Sequence, residues 1–112
     1  MSRDAVYLEH ILGAIAKIEA YAAAGEEQFL REPLRQDEII RQLEIIGEAT
    51  KRLSGSLRGR HSDIAWRRMS GMRDVLIHNY LGVDLSLVWR VIQQDIPELK
   101  RQVAVILHEE RR

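Results

Sequence analysis

The sequence contains no cysteine, only two prolines and few aromatic residues, which make up 5% of the chain. Without cysteine, disulfide bonds and thiolate metal sites are excluded. The scarcity of proline and glycine, beside abundant Leu, Ile, Ala, Glu, Arg and Gln, favours helix. The N-terminus lacks the apolar run of a signal peptide or membrane span, so a cytoplasmic location is expected. A length of 112 residues predicts a single domain, residues 1–112.

The formal net charge is zero, but the charges are unevenly distributed. The segment 51–68 carries six basic residues and one acid, Asp63, a local balance of +5, so the remainder of the chain sums to −5. The six basic residues are Lys51, Arg52, Arg58, Arg60, Arg67 and Arg68. A basic stretch in an otherwise acidic chain is typical of a surface that binds nucleic-acid phosphates, and ordinary solvated charge is the alternative.

Glycine and proline divide the first half of the chain into helices. A first helix is predicted from Ser2 to Ala24, ended by Gly25, and a short piece from Glu26 to Arg31 precedes Pro33, which begins a second long helix. Apolar residues recur every three or four positions on both, as in a bundle. They are Leu8, Ile11, Ile15, Ile18 and Ala22 in the first helix and Ile39, Leu43, Ile46 and Leu53 in the second.

The second half predicts two further main helices. The segment from Ser54 to Ser62 is expected to be a loop, with Ser62 or Asp63 capping a helix from about Ile64 to Leu81, which Gly82 ends. Asp84 is predicted to cap a short turn through Leu85 to Gln94. The last helix is predicted to begin at Asp95 and Pro97, and its inner face to carry Leu99, Val103 and Ile106. The predicted fold class is all-α, an up-and-down bundle of four main helices plus short helical segments.

The helix from Ile64 to Leu81 carries the residues best suited to chemistry. Its apolar stripe is predicted to contain Ala65, Met69, Met72 and Leu76. Asp74 and His78 stand four residues apart, so the carboxylate can orient the imidazole as a general acid or base. Arg73 offers a planar fork of donors suited to a phosphate. The alternative is an ordinary salt link and a carbonyl contact near a helix end.

Helix geometry separates these groups within one chain. Arg73 and His78 are about 140° apart on an ideal helix, so both would not point at one phosphate. Two copies packed across a two-fold axis would line a shared cleft with Arg73 and His78 from both chains, and Gly71 would permit close approach. A homodimer with a composite site is therefore predicted.

The string Arg73-Asp74-Val75-Leu76-Ile77-His78-Asn79-Tyr80 matches the R-x-x-x-x-H-x-Y signature of HEPN domains, and the chain resembles the HepT-like family. The resemblance spans most of the chain from Gln36 to Leu99. It includes Leu43 to Ala49 before the motif, and Tyr80 to Asp84, Val88-Trp89 and Asp95-Ile96-Pro97 after it.

This resemblance implies a HEPN-like helical bundle that dimerises into a metal-independent endoribonuclease needing no cofactor, the toxin of a toxin–antitoxin pair. It implies catalytic roles for Arg73 and His78, with help from Asp74. The implied partner is an MNT-type nucleotidyltransferase antitoxin, which attaches AMP units to Tyr80. The alternatives are a non-catalytic helical subunit that positions or regulates a nucleotidyltransferase, and a structural bundle whose polar helix face is only an oligomer seam.

Other side chains are also candidates for function. Glu44 and Glu48 lie one turn apart beside Arg41 and Arg52, which predicts a solvated, salt-linked face, with bracing of Arg73 as the alternative. The remaining histidines, His10, His61 and His108, have no metal-ligand spacing, although His61 lies in the basic loop and is a candidate RNA contact. Trp66 and Trp89 are predicted to anchor the core or a dimer interface, and base stacking by Trp66 is the alternative.

Overall fold

The computed structural model describes residues 2–71 and 84–112, and every regular element within them is helical. The elements are α1 (Arg3–Ala22), α2 (Glu26–Arg31), α3 (Pro33–Lys51), α4 (Gly55–Arg60), α5 (Trp66–Ser70), α6 (Leu85–Arg90), a π-helical turn (Val91–Asp95) and α7 (Ile96–Glu110). The predicted all-α class is confirmed. No helix in these two ranges is long and apolar enough to cross a membrane.

The first helix begins and ends at the predicted signals. The Ser2 hydroxyl accepts a hydrogen bond from the Ala5 N–H at 3.1 Å and so caps α1. Past the other end, Gly25 has φ of 95° and its N–H donates to the Ala22 carbonyl at 2.9 Å. A positive φ is favourable for glycine, which explains the turn into α2 at this position.

The core of the described residues lies between α1, α3 and α7, because α1 packs along both of the others. The predicted inner faces are confirmed for the following buried residues: Leu8, Ile11, Ile15 and Ile18 on α1, Ile39, Leu43 and Ile46 on α3, Leu53 just after α3, and Leu99, Val103 and Ile106 on α7. Ala22, predicted with them, is only half-buried. Phe29 is fully buried and its ring lies 5.4 Å from that of Trp89, which ties α2 to α6 and confirms Trp89 as a core anchor.

The loop predicted from Ser54 to Ser62 was wrong, since Gly55–Arg60 form α4. The Ser54 hydroxyl accepts a hydrogen bond from the Leu57 N–H at 3.1 Å, which satisfies one free donor of the first turn. Leu57 is fully buried, so one apolar side chain holds this short helix against the core. The segment was predicted as a loop because Gly55 and Gly59 disfavour helix, although the Ser54 cap and the apolar Leu57 favour one.

The next helix also begins differently from the prediction. Neither Ser62 nor Asp63 caps it: Ala65 occupies the N-cap position without a side-chain hydrogen bond. The Trp66 indole N–H donates to the His61 carbonyl at 2.9 Å, so burial of the indole fixes where α5 starts. Ala65, predicted in the core, is exposed.

Trp66 and Met69 are buried as predicted, while the rest of the predicted helix, from Met72 to Leu81, and Gly82 lie outside the described residues.

Two aspartates were predicted as helix caps, and one prediction is confirmed. The Asp84 carboxylate accepts a hydrogen bond from the Leu87 N–H at 3.1 Å and caps α6. Asp95 occupies the N-cap position of α7 but has helical dihedral angles and makes no capping bond. The π-helical turn continues directly into α7, so the backbone leaves no break for a cap, and the Asp95 carboxylate instead accepts from Arg68 at 2.9 Å.

Candidate active site

The predicted catalytic residues Arg73, Asp74 and His78, and the predicted modification site Tyr80, lie outside the described residues. The structure does describe the helix that leads into them. α5 ends at Ser70, three residues before Arg73, and it packs against α3. The site is therefore described from its surroundings.

The contact between α3 and α5 is close at Gly47. A Cβ added to Gly47 would lie 3.4 Å from the carbonyl oxygens of both Met69 and Ser70. This is van der Waals contact, so a larger side chain would press on the end of α5. Gly47 therefore sets the distance between α3 and the chain that leads into the motif.

Glu44 and Glu48 stand on either side of Gly47 on α3. The Glu48 carboxylate lies 3.7 Å from the Lys51 ammonium group. This exposed salt link agrees with the predicted solvated, salt-linked face, although among residues 2–71 and 84–112 no ion pair within 4.0 Å joins Glu48 to Arg41 or Arg52. Glu48 lies closer to Lys51, which leaves both arginines exposed to solvent.

A cleft of about 600 Å³ lies between α1 and α3. Its polar lining combines four kinds of side chain: phenol, imidazole, guanidinium and carboxylate. Those residues are Tyr7, His10, Arg41, Glu44, Glu48 and Arg52, joined by the apolar Ile45 and Ala49. The Tyr7 and His10 rings meet edge to face with centroids 5.7 Å apart. The cleft thus presents both aromatic surface and positive charge to solvent.

Positive charge in this cleft affects the pKa of the Tyr7 phenol. The guanidinium group of Arg3, and secondarily that of Arg52, lower the pKa of the Tyr7 phenol from its usual value, against a smaller opposing effect of burial. Both arginines therefore act on the same hydroxyl. Arg3 comes from the first turn of α1 and Arg52 follows the last residue of α3, so the two helix ends meet here.

The basic segment 51–68 does not form one continuous patch. Arg68 donates to Asp95 at 2.9 Å, at the start of α7, whereas Arg60 donates to Glu110 at 3.0 Å, at its end. Fifteen residues of helix separate those two carboxylates, about 22 Å. The segment therefore spreads its charges along the molecule.

The other basic residues of the segment differ in their surroundings. Arg67 is exposed, and Arg58 is half-buried with an Nε that has no hydrogen-bond partner among the described residues. His61, in the same segment, lies 3.7 Å from the Glu109 carboxylate. Within the described ranges, no group of three His, Asp or Glu side chains is arranged to hold a metal ion.

The cleft itself was not predicted from the sequence, although Arg41 and Arg52 were placed on a salt-linked face. Tyr7 and His10 are three residues apart on α1, and Arg41 and Arg52 are eleven apart on α3, so each pair shares a helix face. Those spacings were available in the sequence. The missing information was that the two faces adjoin, which depends on how α1 packs on α3.

Comparison with known proteins gives the family. A family model described as "Ribonuclease HepT-like" matches residues 11–106, which include the whole motif from Arg73 to Tyr80. No solved structure matches the chain.

Three curated relatives are similar over most of this chain. A protein of Caldanaerobacter subterraneus named "putative RNase" is 43% identical over 94% of this chain and 95% of its own length. A "probable ribonuclease HepT" of Thermococcus cleftensis is 45% identical over 84% and 86% of the two chains. A Methanocaldococcus jannaschii protein named "gamma-glutamylcyclotransferase and putative RNase" is 44% identical over 93% of this chain, which spans only 47% of that relative. With the family match covering most of its length, the chain belongs to the HepT-like family of ribonucleases.

Proposed function

We propose that this protein is a metal-independent endoribonuclease toxin whose active site is built from Arg73, Asp74 and His78. The observation that carries the proposal is the R-x-x-x-x-H-x-Y motif inside the span matched by the ribonuclease family. The names of the relatives, a putative RNase and a probable ribonuclease HepT, support the same reaction class.

The reaction needs only proton transfer and charge stabilisation, because RNA carries its own nucleophile. The 2′-OH loses its proton to a base, its oxygen attacks the adjacent phosphorus, and the 5′-oxygen leaves with a proton from an acid. The products are a 2′,3′-cyclic phosphate and a 5′-hydroxyl. His78 performs proton transfer, Asp74 orients its ring, and Arg73 stabilises the negative charge on the phosphorane.

The site forms across a two-fold axis in this proposal. Since Arg73 and His78 are about 140° apart on an ideal helix, one chain does not direct both at the same phosphate. Two copies place an arginine and a histidine from different chains in one cleft. A homodimer is therefore the active species, and a forced monomer is inactive with every motif residue intact.

The partner is an MNT-type nucleotidyltransferase antitoxin that transfers AMP to Tyr80. Tyr80 lies about two turns from Arg73 and within about 20° of it on an ideal helix. Each added AMP brings bulk and a negative phosphate, which neutralises the arginine and blocks the cleft. This switch requires no change in fold.

RNA cleavage in EDTA by purified, unmodified protein tests the activity. We expect cleavage that Arg73→Ala and His78→Ala each abolish, and products that carry a cyclic phosphate. If protein of the unmodified mass leaves RNA uncut, the proposed ribonuclease activity is rejected and a non-catalytic regulatory subunit is favoured. Intact mass after co-expression with the nucleotidyltransferase tests the switch: additions in steps of AMP, absent in Tyr80→Phe, support it, and a neutralised but unmodified toxin rejects it.

A further inference from the structure

The cleft between α1 and α3 gathers three guanidinium groups that have no carboxylate partner. Arg41 and Arg52 line it, and Arg3 lies beside them at Tyr7. Within the described part of the chain, no carboxylate approaches any of the three to within 4.0 Å. All three are exposed, so their charges are available to a ligand.

Many other basic side chains are already paired. The carboxylate-bound set is Arg31 with Glu27, Arg35 with Glu32, Lys51 with Glu48, Arg60 with Glu110, Arg68 with Asp95, Lys100 with Glu19, Arg101 with Glu98 and Arg111 with Glu9. Arg3, Arg41 and Arg52 have no such carboxylate partner among the described residues, and all three lie at one cleft. An anion there meets positive charge that is not already neutralised by a partner.

The arginines are spaced for an extended anion. Arg41 and Arg52 are eleven residues apart on α3, which places their backbones about 16 Å apart and within about 20° of one line along the helix. Glu44 and Glu48 lie between them, and Lys51 lies 3.7 Å from Glu48. Positive charge is thus concentrated at the two ends of the cleft, where two non-adjacent phosphates of one strand can bind and a lone phosphate fills only one.

Two ring side chains line the same cleft from α1. His10 is exposed, and Tyr7 is half-buried with its ring edge to face against it. Exposed aromatic and imidazole rings beside phosphate-binding groups are the recurring elements of single-strand binding, because every base offers a face for stacking. A protein partner would be expected to bring larger apolar contacts, whereas among the described residues the apolar side chains that line this cleft are Ile45 and Ala49.

We propose that the α1–α3 cleft binds single-stranded RNA, with Arg41 and Arg52 on phosphates and His10 and Tyr7 against a base. This inference rests on the proposed ribonuclease function and assigns its substrate-binding surface. The cleft is joined to the motif through α3, because Gly47 on that helix contacts Ser70 and the chain reaches Arg73 three residues later.

Binding of a strand that cannot be cleaved tests the inference. The probe is a fluorescent single-stranded 2′-O-methyl RNA, which lacks the 2′-OH nucleophile, and anisotropy gives its Kd over a range of salt concentrations. We expect Arg41→Gln and Arg52→Gln each to raise Kd roughly tenfold and to lower the salt slope by about one. His10→Ala raises Kd with the slope unchanged. Circular dichroism confirms that each variant is folded.

Arg31→Gln is the matched control, since it removes the same charge from the last residue of α2, next to the end of α3 opposite Arg52. The inference is overturned if Arg41→Gln and Arg52→Gln bind the probe as tightly as Arg31→Gln does. It is also overturned if the two substitutions weaken binding of a protein partner and leave binding of the RNA probe unchanged. Failure here is distinguishable from failure of the proposed activity. If His78→Ala abolishes RNA cleavage but Arg41→Gln and Arg52→Gln leave probe binding unchanged, only the binding surface is rejected. If probe binding depends on these arginines but the wild-type protein never cuts RNA, only the cleavage activity is rejected.

Discussion

Asp4 and Ser54 join the start of α1 to the start of α4. The Ser54 N–H donates to one Asp4 carboxylate oxygen at 2.8 Å and its hydroxyl donates to the other at 2.6 Å. The same hydroxyl accepts from the Leu57 N–H at 3.1 Å. One serine thus caps α4 and attaches it to a residue fifty positions away, beside Arg3 and Arg52.

Removing the Ser54 hydroxyl is expected to destabilise the fold. Ser54→Ala loses the helix cap and one bond to Asp4, so the free energy of unfolding falls by about 1–2 kcal/mol. Urea unfolding measures the change. Ser56→Ala is the control, because Ser56 is exposed on the same helix and should change stability by less than about 0.5 kcal/mol. Equal effects of the two substitutions would contradict a role for the Ser54 hydroxyl.

Gly47 is expected to tolerate alanine and to resist valine. An alanine Cβ meets the Met69 and Ser70 carbonyl oxygens at 3.4 Å, and the gain in helix propensity offsets this contact to within about 1 kcal/mol. The extra methyl groups of valine displace α5, which costs about 1–3 kcal/mol and lowers RNA cleavage by shifting the chain before Arg73. Thermal unfolding and cleavage rates are the measurements.

Gly13 provides the matched control for this pair. It lies on α1 and a Cβ built there meets no atom within 4 Å. Gly13→Ala is expected to stabilise by about 0.5–1 kcal/mol and Gly13→Val to leave cleavage unchanged. If Gly47→Val behaved like Gly13→Val, the close contact of α3 with α5 would have no part in positioning the motif.

The long helices were predictable because their inner faces repeat over several turns. Ile11 and Ile15 on α1, or Leu99 and Val103 on α7, are spaced so that only a helix buries them together. The short helices were less predictable. α4 depends on one cap at Ser54 and one buried residue, Leu57, and α5 starts where the Trp66 indole finds the His61 carbonyl.

The candidate site also has a part that could be predicted from the sequence and a part that could not. Arg73, Asp74 and His78 could be proposed from a motif, since chemistry fixes both residue type and spacing. The α1–α3 cleft could not, because Tyr7 and Arg52 are distant in sequence and meet only through helix packing. The basic segment was misleading as a single surface: charge in sequence does not show that Arg60 and Arg68 lie at opposite ends of α7.

The ionisation of Tyr7 gives a pH prediction. Its folded-state pKa lies below that of the unfolded chain, which is about 10, so the phenolate forms first in the folded protein. Ionisation of Tyr7 therefore adds to the free energy of unfolding at high pH. The added stability is absent at neutral pH, appears as pH rises through the lowered pKa and is complete above about 10.

Ultraviolet titration of phenolate absorbance, taken as the difference from Tyr7→Phe, measures the Tyr7 pKa. Arg3→Gln should raise it more than Arg52→Gln, because Arg3 has the larger effect, and Lys17→Gln farther along α1 should leave it unchanged. A titration curve unaffected by both arginine substitutions would contradict the assigned cause.

The composite site predicts complementation between two inactive variants. Arg73→Ala keeps His78, and His78→Ala keeps Arg73, so a mixed dimer has one arginine and one histidine on different chains. Random pairing of equal amounts makes about half of the dimers mixed, each with one of two sites intact, so about a quarter of wild-type cleavage is expected from the mixture and about half from the isolated mixed dimer. Co-expression with two affinity tags isolates the mixed dimer, and cleavage of RNA in EDTA is the readout. Each variant purified alone is the control. Inactivity of the mixed dimer would show instead that Arg73 and His78 act from the same chain, because that arrangement leaves no intact pair in it.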